Sequence, residues 1–72
     1  GDILIVDRSL NAKDGDIIIA LLYGEFMVKQ VSIINKNLFL IPKNQKYSYV
    51  KITSEMEFEV WGVVTFSIRK HR

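Results

Sequence analysis

The chain contains no cysteine. That absence removes disulfides, thiolate nucleophiles and every cysteine-based zinc or iron–sulfur site, and it excludes a disulfide-stapled secreted scaffold. Histidine is nearly absent too: His71 is the only one and is penultimate in a basic tail. A Ser-His-Asp triad or a histidine-built metal site therefore has no credible base or ligand, and neither a metal nor a cofactor is expected. One proline and four glycines, with 49% hydrophobic and 25% charged residues, mark a packed domain, not a fibre or a disordered tail. No apolar run approaches the ~18 residues of a membrane span, so no membrane partner is expected, and Gly1-Asp2 reads neither as a signal peptide nor as a natural start.

A broad basic surface is also missing. The net charge is +2, but residues 1–68 hold seven basic against eight acidic side chains, because Arg69, Lys70 and Arg72 crowd the end. Non-specific nucleic-acid binding by a wide basic face is disfavoured on that count. The tail itself either touches nucleic acid within a larger complex or is a solvated, frayed terminus. Seventy-two residues make one domain, 1–72. A domain of about this size buries only about 60% of its unfolded surface. Lacking staples, it calls for a partner subunit or for further chain.

What is present reads as strands. Residues 3–7 begin with the β-branched run Ile-Leu-Ile-Val, too short for a helix and suited to a strand buried on both faces. Asp14-Gly15-Asp16 closes a polar loop before a second apolar run over 17–22; Tyr23-Gly24 then makes a tight turn into a hairpin partner over 26–34. Asn35-Lys36-Asn37 is a further turn, 38–41 a fourth strand ended by Pro42, and 50–53 a brief pairing segment. Residues 58–70 alternate as one long last strand. With no helical periodicity in any window, the chain is all-β with antiparallel pairing dominant. The echo of Gly1-Asp2-Ile3 in Gly15-Asp16-Ile17 reflects shared turn chemistry and is too short to define a repeat.

Few side chains offer chemistry. Glu55, Glu57 and Glu59 fall on one face of an extended segment, either to hold a hard cation or as the solvated face of an edge strand, the commoner use. Asp14-Gly15-Asp16 lacks the other oxygen ligands of a calcium loop. Lys29 stands apart, sharing a face of the third strand with Met27, Val31 and Ile33. A lysine pointing inward among such neighbours loses the hydration of its charged form, and a neutral amine can serve a hydroxyl nucleophile as general base. The competing reading is a lysine at the sheet margin whose stem is covered and whose amine reaches water. Ser9, Ser32, Ser48, Ser54 and Ser67 all lack the sharp glycine-rich turn of a nucleophile.

Five ordered blocks then carry a resemblance: Gly1-Asp2-Ile3-Leu4-Ile5-Val6-Asp7, Gly15-Asp16-Ile17-Ile18-Ile19-Ala20, Gly24-Glu25-Phe26-Met27-Val28-Lys29, Leu40-Ile41-Pro42-Lys43-Asn44 and Val60-Trp61-Gly62-Val63-Val64. In order and spacing they resemble the C-terminal domain of the LexA/UmuD family of self-cleaving serine–lysine peptidases, over essentially the whole chain. The resemblance implies coiled, mostly antiparallel β-sheets of the LexA/signal-peptidase type, incomplete at the N-terminus. It also implies a Ser–Lys dyad with Lys29 as general base. The family nucleophile lies in a Gly-Asp-Ser-Met-like segment ahead of the block that opens here at Gly1, so the chain alone is expected to be inactive.

The ending 65–72 is closer to the UmuD-like branch than to the LexA repressors. For that branch the resemblance implies a bacterial, cytoplasmic SOS-response protein that removes its own N-terminal arm when stimulated by the RecA filament on single-stranded DNA. The cleaved protein is then a homodimer and the accessory subunit of an error-prone translesion polymerase, with no sequence-specific DNA binding by this segment. The alternative is the dimerisation and self-cleavage domain of a LexA-like repressor. Trp61, Val63, Phe66 and Ile68 are the candidates for the dimer interface, or else belong to the intrachain core.

Overall fold

The computed structural model describes residues 2–69. Six strands form one sheet: β1 (Asp2–Asp7), β2 (Ile17–Leu22), β3 (Glu25–Ile34), β4 (Asn37–Ile41), β5 (Val50–Lys51) and β6 (Phe58–Arg69). Their order across the sheet is β1-β6-β2-β3-β4-β5, and every pairing is antiparallel. The all-β expectation and the strand positions hold, with ends shifted by a residue or two. β2, β3 and β4 form a meander, while the long last strand returns to separate β1 from β2.

Both tight turns follow from backbone geometry. Tyr23 and Gly24 have φ of 48° and 81°, and Asn35 and Lys36 have φ of 51° and 65°. Two successive left-handed residues give a two-residue loop whose twist matches that of the strands it joins. Glycine and asparagine enter this region readily, whereas lysine does so at a cost. Replacing Lys36 by glycine is expected to stabilise the protein by about 0.5 kcal/mol, seen as a small rise in thermal midpoint. An unchanged or lowered midpoint would show that the lysine side chain contributes more than the turn strain costs.

The core lies on one face of the sheet. Ile18, Ala20 and Val31 are fully buried, with Leu40 and Val63 nearly so, and Ala12, Leu22, Met27, Leu38, Ile52, Phe58 and Val60 pack around them. Simple alternation along β6 fails twice. Ile19 pairs with Gly62 but Ala20 with Val60, so Trp61 is an extra residue; Ile5 pairs with Phe66 but Val6 with Val64, so Thr65 is another. Each bulge shifts the phase of the strand. The core face is therefore Phe58, Val60 and Val63, rather than one row of an unbroken alternation over 58–70. At the second bulge the Thr65 hydroxyl donates to the Ile5 carbonyl at 3.2 Å.

β1 corrects a further expectation. It is an edge strand, and Ile3, Leu4 and Ile5 are 59%, 38% and 49% exposed. An apolar run alone does not distinguish a doubly covered strand from an edge, because hydrophobicity records what a surface can pack against, not what covers it.

Candidate functional site

Lys29 occupies the core-facing side of β3. It lies opposite Ile18 of β2, with Met27 and Val31 as its neighbours along the same face. Along β3, Met27, Lys29, Val31 and Ile33 are half or fully buried, whereas Phe26, Val28, Gln30 and Ile34 on the second face are exposed and Ser32 between them is half-buried. Lys13, Lys36, Lys43, Lys46 and Lys51 are all exposed, which leaves Lys29 as the one lysine of the described residues with substantial cover.

Pro42 explains why the position is open on its other side. The β3–β4 ladder ends at the pair Gln30–Ile41, and the following residue has no N–H to continue it. β3 runs on past that end, and the space beside Lys29 becomes a cleft. Two adjoining hollows of about 250 and about 190 Å³ share Lys29, Ile41 and Pro42 in their walls. One extends to Ile17 and Val28, the other to Leu22, Met27, Leu40 and Val50. Lys29 is thus an amine set among aliphatic walls that remains reachable from solvent.

The remaining candidates are placed as follows. Glu55, Glu57 and Glu59 are exposed, and among the described residues no cluster of acidic or histidine side chains is arranged to hold a metal. Asp14 and Asp16 act in a turn: Asp14 Oδ1 accepts the Ile33 N–H and Asp16 Oδ2 the Lys13 N–H, each at 2.8 Å. Trp61 lies on the second face, edge-on to Phe26 with ring centres 6.1 Å apart. Val63 is drawn into the intrachain core by the bulge before it. Phe66 is 58% exposed opposite Ile5. Ile68 pairs with Ile3, but its side chain, like His71, lies outside the described residues. No serine is hydrogen-bonded to Lys29 among the described residues.

Sequence reading missed the partner of Trp61. Arg8 donates from Nε to the Trp61 carbonyl at 3.0 Å, and its guanidinium carbon stands 4.1 Å from the centre of the indole ring. Cation and ring are 53 positions apart in the chain, and no local pattern announces such a pair. Just before it, the Ser9 hydroxyl and amide both donate to Asp7 Oδ1, at 2.6 and 2.8 Å, and hold that carboxyl below its ordinary range. Such a group favours the folded state above its unfolded pKa, and the contribution is lost as pH falls through the depressed folded value. Carboxyl titration by NMR is expected to return Asp7 toward the ordinary range in Ser9→Ala; an unmoved titration would mean the hydroxyl is not the cause.

Comparison with known proteins decides the family. The Peptidase S24-like family profile matches residues 1–65. The chain belongs to the Peptidase S24-like family. As a LexA/UmuD-type S24 domain, it is 40% identical over 72 residues to protein MucA of Salmonella typhimurium, covering 99% of this chain and 49% of MucA. It is 36% identical over 72 residues to protein SamA of Salmonella typhimurium strain LT2, covering 100% and 49%. The LexA repressor of Oleidesulfovibrio alaskensis is 41% identical over 64 residues, 89% of this chain and 31% of the repressor. The S24 domain described here therefore spans about half the length of MucA and SamA.

Proposed function

We propose that the chain is the lysine-bearing part of a bacterial SOS-response protein that cleaves its own N-terminal arm through a Ser–Lys dyad, with Lys29 as the general base and the serine supplied by the segment preceding Gly1. One observation carries this reading: a single lysine of the described residues is turned toward the core, and a cleft opens beside it where Pro42 ends the neighbouring strand. In the reaction the serine oxygen bonds to the scissile carbonyl carbon as its proton passes to Nζ of Lys29 acting as the base. The ammonium so formed protonates the departing amine as the C–N bond breaks. Water, deprotonated by the same amine, then releases the acyl group.

The reading continues with the cleaved form as a cytoplasmic homodimer and the accessory subunit of an error-prone translesion polymerase. Phe66, exposed beside Ile5, lies at the dimer contact. The matches to MucA and SamA support this branch, since they cover 99% and 100% of this chain and about half of each relative. The match to the LexA repressor, only 31% of that protein, supports a second reading as a repressor's cleavage domain. A helix-turn-helix upstream of the S24 domain would decide for the repressor. Intact mass of the full-length protein after incubation with RecA filaments on single-stranded DNA tests the common step. Loss of an N-terminal arm is the expected result, and an unchanged mass overturns the cleavage reading.

A further inference from the structure

Charge is segregated along this chain in a way that its near-zero total conceals. All eight acidic residues lie within 1–25 and 55–59, whereas residues 26–54 hold five lysines and no aspartate or glutamate. The fold collects that segment on one side, because β3, β4 and β5 are consecutive up to the sheet edge. A local basic face thus exists despite the balance over residues 1–68.

Its centre is the loop over residues 42–49. The loop is ordered by its own turn: Asn44 Oδ1 accepts the Lys46 N–H at 3.0 Å, and the Asn44 carbonyl accepts the Tyr47 N–H at 3.1 Å. So held, it displays Lys43 and Lys46, with Lys51 following on β5, and two tyrosines, Tyr47 and Tyr49, that are 69% and 51% exposed. Between loop and sheet is an open groove of about 400 Å³, walled by Gln30, Ile41, Pro42, Lys43, Gln45 and both tyrosines, with no carboxylate in its lining. The acidic residues of the neighbouring 13–16 turn are occupied, since their carboxylates accept backbone amides.

Exposed aromatic rings interleaved with ammonium groups, above a groove lined with amides, match one class of ligand. Phosphates meet the lysines, and unpaired bases stack on the rings. An acidic peptide fits less well, because carboxylates are best held by the two-pronged guanidinium of arginine, and no arginine occurs between Arg8 and Arg69. We propose that this groove binds single-stranded nucleic acid without sequence preference, with phosphates on Lys43, Lys46 and Lys51 and bases on Tyr47 and Tyr49. The site goes beyond the cleavage reading and does not use the amine of Lys29.

The test is fluorescence anisotropy of a labelled thymidine oligonucleotide of about 20 nucleotides titrated with the full-length protein at several salt concentrations. Binding is expected to weaken with salt, each contacted phosphate adding about 0.7 to the log–log slope. Lys46→Ala is expected to reduce that slope by about one such increment. Tyr47→Ala is expected to weaken binding about 5- to 150-fold with the slope retained. Both side chains are exposed, so an unchanged thermal midpoint checks that the fold persists. The proposal is overturned by absence of binding at about 50 mM salt, by variants that bind like the wild type, or by tighter binding of a labelled polyglutamate peptide than of the oligonucleotide.

Discussion

Replacing Lys29 by alanine in the full-length protein is expected to abolish removal of the N-terminal arm while leaving the protein folded. General-base catalysis contributes roughly 100- to 10,000-fold to rate, so cleavage should fall below detection on the timescale of wild-type turnover. Lys29 lies opposite the fully buried Ile18 and beside Met27 and Val31, a setting in which its methylene stem packs and its amine gains little. Lys29→Met keeps the stem volume and removes only the amine, and its thermal midpoint should equal or exceed that of the wild type. Lys29→Arg keeps a cation that does not shed its proton, and it should be as inactive as alanine. A mere positive charge at this place would leave arginine active and so separates the two roles. Cleavage by Lys29→Met at near wild-type rate would sink the dyad assignment.

Why that lysine could be found in the sequence, and other parts of the site could not, has a physical basis. Strand alternation is a local property, so the face shared by Met27, Lys29 and Val31 was legible from β3 alone. The turns at Tyr23-Gly24 and Asn35-Lys36 were legible for the same reason, since they are fixed by two residues each. The cleft was not. It exists because β4 stops at Ile41 while β3 continues, a relation between two strands that only their register shows. The bulges at Trp61 and Thr65 are likewise properties of pairing. A one-residue insertion flips every side chain beyond it to the other face. Reading β6 as one unbroken alternation therefore set Val63 on the face opposite Val60 and left it open to a partner or to the core, whereas the bulge brings both into the core. The pairing of Arg8 with Trp61 and the gathering of Lys43, Lys46 and Lys51 toward one edge belong to the same class: both are created by topology.

Gly62→Ala is the second large effect expected, and it tests that topology directly. A Cβ at Gly62 would collide with Cγ1 of Val6, and would lie 3.4 Å from the Asp7 carbonyl and 3.5 Å from Arg8 Cγ. The glycine is therefore required by the close approach of β1, not by an unusual backbone angle. Gly15 and Gly24 show the opposite case, with φ of 87° and 81° and nothing within 4 Å of the missing Cβ. Overfilling a packed site costs about 1–3 kcal/mol, which for a domain of this size lowers the midpoint by about 4–8 °C per kcal/mol. The strain falls on the segment that carries Arg8 over the Trp61 ring, so tryptophan emission should shift as well. Val6→Ala removes the atom that is struck. If the collision is the cause, Val6→Ala and Gly62→Ala together should be less destabilising than the sum of the two alone, by about 1 kcal/mol. Strict additivity would mean that β1 does not press on Gly62, and that the edge strand is held by its backbone ladder alone.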